Sequence, residues 1–447
     1  MVLSRFSTIF AACITAIAST NIAAETIQEA VDATLKQNPE VLAEANRRYS
    51  VDKTVDQAKA GYYPRVDLTL GIGYERTKNP ATRPDHESLN RGEAEIKATQ
   101  MLYDGFATKS AVEQSQAQAD AAGYDVTDKA ETIGLNTVQS YLDVLKRQQL
   151  LEETQESLEQ HEKIFDKIKL RTEAGVGNRS DLDQTTGRVA LAQANLRSTE
   201  GNLQDAKTRY QRLVGHAPES LTDPGKSCCD TAPAAVEDAL QIAYRQHPSL
   251  WAAMAKHEAS LAQEEGAKAP FHPQVNAELS TRADNNLDGT RGHEKEVQAM
   301  IRMDYNLLNG GADKARIEET KYLSEQAKQN AEIIKRNVDR DVRLAWINVE
   351  TLSRRLPILE QRKIAAEKTR DAYFEQFNVG RRTLLDLLDT ENELLTARND
   401  YTNAYYDHIY ACYWLSETMG RLMESLSVEA PEAAIVVAQP ETTESPQ

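Results

Sequence analysis

"IQEAVDATLKQNPEVLAEA", residues 27–45, returns 209 residues later as "VEDALQIAYRQHPSLWAAM", residues 236–254, and that return decides how the chain is read. The match runs without a gap from 27–70 onto 236–279, placing Pro39 on Pro248, Lys59 on Lys268, Pro64 on Pro273 and Val66 on Val275. Further on, "YDGFATKSAVE" from Tyr103 meets "LNGGADKARIE" from Leu308 at an offset of 205, which holds to "LVG" at 213–215 against "TMG" at 418–420. A repeat of this length sets the architecture before any local pattern is read. The offset changes by only four residues, so the variable part of the unit lies between Leu70 and Tyr103. The chain is a duplicated unit, 25–220 and 236–422, joined by a linker at 221–235.

Each unit reads helix, strand, loop, strand, long helix, turn, helix. In the first, Val66, Leu68, Leu70, Ile72 and Tyr74 alternate with Arg65, Asp67, Thr69, Gly71, Gly73 and Glu75. In the second, Val297, Ala299, Ile301, Met303 and Tyr305 alternate with Gln298, Met300, Arg302 and Asp304. Strict alternation predicts strands at about 64–75 and 294–305, and weaker alternation adds about 93–103 and 273–281. Strands of this length with one apolar face match those of transmembrane barrels. A soluble sheet with one wet face is the general alternative, but it needs a second layer that nothing nearby provides. Four strands cannot close a barrel, whereas three copies supply twelve. The strand count thus points to a homotrimer with one shared barrel.

The helices predicted at about 105–171 and 311–376 would each be about 100 Å long at 1.5 Å per residue. A rod of that length cannot fold into a compact domain. The return helices, about 181–214 and 384–420, carry a seven-residue period: Leu182, Val189, Leu196, Leu203 and Tyr210, then Leu387, Leu394, Tyr401, His408 and Leu415. Small residues follow three positions on, including Thr185, Ala192, Ala397, Ala404 and Ala411. A strict heptad implies a left-handed coiled coil with close helix approach. His408 and the seam tyrosines read as packing residues. Pro357 predicts a kink about 20 residues before the second long helix ends.

The formal charge of −17, with no basic run, argues against nucleic acid as a partner. Residues 1–24 read as a secretory signal in which Cys13 lacks a convincing lipobox. Cys228, Cys229 and Cys412 make neither a disulfide framework nor a zinc site by spacing, and receive no role. After the signal no stretch approaches a membrane helix, so any crossing is made with strands. The chain carries no H-E-x-x-H, phosphate-binding glycine loop or nucleophile elbow, and its eight histidines are scattered. The expectation is no enzyme, no catalytic residue, no metal and no cofactor. The tail 423–447 is expected to be disordered, and the loops at 76–92 and 283–293 to be extracellular.

The two helix turns, "EAGVGNRSDLDQ" at 173–184 and "FNVGRRTLLDLLD" at 377–389, raise a question about Asp386 and Asp389. Two acids three apart share a helix face and disfavour each other unless the helix start or a function favours them. Together with the duplication, these turns resemble the TolC family of outer-membrane channel proteins, over nearly the whole chain from Glu25 to about Leu422. The resemblance implies a mainly α fold with a small β part, trimerising into a 12-stranded outer-membrane β-barrel continued by a long α-helical barrel across the periplasm. It matches Asp386 and Asp389 to the family's lumen-facing aspartates, whose threefold ring makes the mouth cation-selective, as charged rings do in channels. Arg382 matches the turn arginine that contacts the position of Ser180 and Asp181 in the next coiled coil. Phe377 stands where a hydrogen-bonding tyrosine is expected. Gly175 and Gly380 fit helix caps, and the turns with Val176, Gly177, Arg381 and Arg382 fit docking points for a periplasmic adaptor.

"YYPRVDL", "LNRGEAEIKATQMLYDGFATKS" and "GVGNRSDLDQ" are further similar to outer-membrane components of type I secretion systems, notably the agglutination or adhesin-exporting branch. The partners this implies are two further copies of the chain, a periplasmic adaptor, an inner-membrane ABC transporter, an exported protein and outer-membrane lipid. A drug or metal efflux duct of the same architecture and a soluble periplasmic coiled-coil scaffold are the competing readings.

Overall fold

The computed structural model describes residues 24–80, 82, 86–226, 229 and 233–435. The signal reading therefore lies outside the described residues except for Ala24, as does the end of the tail. The two units appear as matched sets of elements. Helices α1 (Ile27–Gln37) and α2 (Pro39–Lys59) precede strands β1 (Arg65–Thr77) and β2 (Glu87–Tyr103), long helix α3 (Ala107–Glu173) and return helix α4 (Arg179–Val214). Their counterparts are α5 (Val236–Gln246), α6 (Pro248–Gly266), β3 (Gln274–Asn285), β4 (His293–Asp304), α7 (Ala312–Asn378) and α8 (Leu384–Thr418). The long helices α3 and α7 have the same length, 67 residues.

Local chemistry places the breaks. Thr26 and Glu29 close a capping box on α1. Asn38 ends α1 and its side chain accepts from Glu40 N at 2.9 Å, with Pro39 at the first position of α2. In the second unit His247 does the same for α6 ahead of Pro248, with Nδ1 accepting from Ser249 N. Burial drives His247 down to about 4, so it stays a neutral acceptor. Helix α7 runs unbroken through Pro357. The loss of one backbone hydrogen bond does not end a helix whose Leu352 and Leu356 are buried against neighbours.

The return helices show where the protomer stops. Helix α3 buries 26 residues and α7 only nine; α8 buries 18 and α4 only five. Helix α3 packs on α4 and α8, and α8 packs on α7. The order across the protomer is thus α4, α3, α8, α7, with one helix from each unit left at each open side. Seven of the eight heptad positions named on α8 are buried, whereas most of those on α4 are only partly covered. Helix α4 packs chiefly on α3, so its seam is covered from one side only within one chain.

The main core lies half-way along the rods. Tyr141, Tyr210, Ile409 and Leu422 meet Ile27 and Val31 there. The Tyr141 hydroxyl lies 2.7 Å from the carbonyl oxygens of Glu25 and Thr222 and accepts from Thr222 N at 2.9 Å, pinning the segment before α1 and the inter-unit linker to α3. The linker is pinned again by a Cys229–Cys412 disulfide, with His408 Nδ1 at 3.8 Å from Cys229 Sγ. This corrects the reading that gave these cysteines no role. Cys412 is buried on α8 where the linker crosses, and no local spacing reports a pairing across 183 residues.

The segment read as disordered from 423 is ordered through Ile435. Leu422–Leu426 forms helix α9, whose Leu422, Met423 and Leu426 are buried, and Ala433 in the following turn is buried too. Polar residues beyond 435 dominated the compositional reading; apolar spacing over 422–426 decides the structure. Buried Glu131 of α3 caps α9 by accepting from Leu422 N at 2.9 Å and Met423 N at 3.3 Å. Burial raises Glu131 to about 8, and Glu417 to about 7.

A carboxyl raised on folding binds its proton more tightly in the native state. Its contribution is complete below the ordinary carboxylate range and is lost as pH rises through about 8. Thermal unfolding is therefore expected at higher temperature at pH 5 than at pH 8.5. Glu131→Gln, which keeps an acceptor for the α9 amides, should flatten that dependence by on the order of a few kcal/mol. An unchanged pH profile in the variant would refute the assignment.

Candidate functional site: the barrel wall and the helical mouth

The four strands form one antiparallel sheet in the order β1-β2-β3-β4. The two units join where β2 pairs with β3, from Gly92 opposite Asn285 to Tyr103 opposite Val275. Strands β1 and β4 have open outer edges within one chain. Register fixes the faces: Leu70 lies opposite Ala94, Ala94 opposite Ala283, and Ala283 opposite Lys295. The apolar face of β1 is uncovered, with Val66, Leu68, Leu70, Ile72 and Tyr74 between 63% and 95% exposed. Val66 to Tyr74 extends about 26 Å along the strand and about 20 Å along the axis of a barrel whose strands tilt by about 40°, most of the roughly 25 Å height of an outer-membrane apolar band. No helix among the described residues is long and apolar enough to cross a membrane.

The opposite face is charged and internally paired. Arg91 bridges Glu75 and Glu93, Arg282 contacts Glu93 and Asp284, and Glu278 takes Lys97 and Arg302. A sheet that is apolar outside and charged inside, with two open edges, fits a closed barrel around water.

At the other end of the rods the two turns share one construction. Gly175 (φ +76°) follows α3, with Gly175 N donating to Thr172 O and Val176 N to Arg171 O, both at 3.0 Å. Gly380 (φ +74°) follows α7, with Gly380 N donating to Phe377 O at 3.0 Å and Arg381 N to Gln376 O at 2.8 Å. Both are Schellman caps, whose left-handed residue favours glycine. A side chain at Gly177 would meet the Thr172 backbone nitrogen at 2.9 Å. Val176 and Arg381 are exposed at the tips.

Asp386 is the third residue of α8. It closes a capping box with Thr383, accepting from Thr383 N at 3.3 Å and donating its own N–H to Thr383 Oγ1 at 3.2 Å. Asp389 lies 3.5 Å from Arg188 of α4, and Asp386 lies 3.9 Å from Arg382. Arg382 also donates to Gln376 Oε1 at 3.0 Å and sits 4.0 Å above the Tyr373 ring. Within one chain Arg382 makes no hydrogen bond or ion pair with Ser180 or Asp181, which occupy the first turn of α4. The contact expected of it is one between protomers. Phe377 is buried with Ile164, Ile168, Leu384, Leu387 and Leu388, under Arg171 at 5.2 Å. It holds the turn by packing where a hydroxyl would hold it by a hydrogen bond.

Above the mouth lies a charge network that the apolar heptad does not report. Buried Glu391 meets Arg370 at 3.5 Å, Arg398 pairs with Glu156 and Glu367, and Glu153 accepts from Thr402 at 2.7 Å. Burial raises Glu391, offset by Arg370. Glu391 and Arg398 are seven apart, each four beyond a seam leucine or its equivalent, the position from which coiled coils pair charges between helices. That spacing was the available signal.

Barrel wall, periplasm-length rods and a two-turn mouth together define a channel protomer. The sequence profile of the outer membrane efflux protein family matches residues 30–216 and 239–421, one block per unit, and the chain belongs to that family. It is 24% identical over 372 residues to the outer membrane efflux protein BepC of Brucella suis, covering 83% of this chain and 80% of the relative. It is 23% identical to the outer membrane protein TolC of Vibrio cholerae (91% and 93% covered) and 22% to the proteases secretion protein PrtF of Dickeya chrysanthemi (89% and 88%). The outer-membrane channel OprN shares the fold with a TM-score of 0.76 at 18% identity, over 88% of this chain and 90% of that one. The protein is an outer-membrane efflux or secretion channel of the TolC type, reaching into the periplasm. Channels of this family are trimeric and work with adaptors and inner-membrane transporters.

Proposed function

We propose that the chain is the outer-membrane exit duct of a type I secretion system, passing a protein from an inner-membrane ABC transporter through a periplasmic adaptor. The observation that carries this is the extent of the likeness to a relative named for protease secretion, which spans 89% of this chain and both repeat units. The duct is passive: it needs a lined passage and a mouth, and no step of its action calls for a catalytic residue or cofactor. The adaptor docks on the exposed tips formed by Gly175, Val176, Gly177, Gly380 and Arg381. The family's name and the likeness to BepC favour small-molecule efflux as the second reading.

Deleting the gene and restoring it on a plasmid separates the two. Loss of one or a few secreted proteins, with drug and metal tolerance unchanged, is the expected result. An intact set of secreted proteins with sensitised growth would replace this reading by efflux.

A further inference from the structure

The charges of the four strands are sorted by face. By the strand register, all ten acidic residues of β1–β4 point to the polar face. Five of the seven Lys and Arg residues share that face, and each of the five is in an ion pair: Arg65, Arg91, Lys97, Arg282 and Arg302. The other two, Arg76 and Lys295, are on the apolar face, exposed, and without an ion pair among the described residues. Their positions match. Arg76 lies two residues beyond Tyr74, where the apolar run of β1 ends, and Lys295 lies two residues before Val297, where that of β4 begins. His293, on the same face, is the next residue outward from Lys295.

Both cations are at the loop ends of the strands, away from the helices. The helix end of the sheet is flanked instead by Tyr62 and Tyr63 before β1, Phe106 after β2 and Tyr305 after β4, all exposed. Aromatic rings suit the membrane interface at that side. Two unpaired cations just past an apolar band suit a layer of fixed negative charge at the other. Arg76 and Lys295 also sit on the two open edge strands, so closing the ring sets the strand bearing one beside the partner protomer's strand bearing the other.

We propose that Arg76 and Lys295, with His293, form a basic rim at each protomer junction that binds the phosphorylated headgroups of outer-leaflet lipid. The rim fixes the depth of the barrel and ties neighbouring protomers through a shared lipid. A carboxylate-rich surface would repel such a headgroup; among the strand residues this face carries no carboxylate. The inference rests on the barrel and is independent of which cargo the duct carries.

The test uses the full chain purified as a trimer in detergent, with native mass spectrometry to count bound lipid. The probes are bisphosphorylated lipid A and the same lipid with its phosphates removed. The wild-type trimer is expected to retain the bisphosphorylated form preferentially. In the double variant Arg76→Gln/Lys295→Gln its affinity should fall by roughly tenfold. Lys97→Gln, on the polar face, should bind as the wild type does. Equal retention of both lipids by the wild type, or equal affinity in wild type and double variant, overturns the proposal. The comparison of the two lipids on the wild type decides it even where the double variant does not assemble.

Discussion

Reduction of the Cys229–Cys412 disulfide is expected to shift the guanidinium unfolding midpoint of the channel downward, with a loss of up to about 5 kcal/mol per chain. The size follows from the 183-residue separation of the two cysteines, since a cross-link restricts the unfolded chain more as the closed loop lengthens. It is an upper figure, because Tyr141 holds the linker at Thr222, and ties it to Glu25, independently of the sulfurs. Cys412→Ala is the informative variant. Cys228 adjoins Cys229 and offers a replacement thiol when Cys229 is changed, whereas α8 has no second cysteine. Cys412→Ala should unfold at the same midpoint with and without a dithiol reductant, at fixed protomer concentration, because subunit association contributes to apparent stability. Equal midpoints for oxidised and reduced wild-type protein would show that the tyrosine pin alone secures the linker.

The duplication was legible because it rests on register, which survives even where identity is low. Proline pairs such as Pro39 and Pro248 sit at helix starts in both units, where the ring's fixed φ is an advantage. The strand faces were legible because a period of two leaves no ambiguity about which side Val66 to Tyr74 occupy. What escaped was set by tertiary contact. The cysteine pairing depends on where the linker crosses α8. The order of α9 depends on Glu131, 291 residues from the amide it caps. Asp386 is an intermediate case. Thr383 three residues earlier is a capping signal, and the helix-start explanation of the acid pair describes Asp386 correctly without excluding a role at the mouth. For Asp389 that explanation fails, since it lies beyond the first turn and its side chain is 63% exposed beside Arg188.

That difference shapes the expected behaviour of the mouth. In a trimer the two positions supply six carboxylates, but each has an arginine within 4 Å: Arg382 for Asp386 and Arg188 for Asp389. Neutralising the acids therefore leaves six guanidinium groups without their counter-charges near the aperture. Reconstituted in planar bilayers under a KCl gradient, the wild type is expected to prefer cations and the double variant Asp386→Asn/Asp389→Asn to lose that preference and move toward anions, because ring charge sets the sign of selectivity. Asparagine is the right substitution at 386, since its side-chain oxygen still accepts from Thr383 N; alanine would also remove the cap, at about 1 kcal/mol, and confuse helix fraying with loss of charge. Asp389→Asn should carry the larger share, because that side chain is the more exposed of the two, 63% against 40%. Selectivity unchanged in the double variant would place both aspartates away from the ion path and leave Asp386 as a helix cap only.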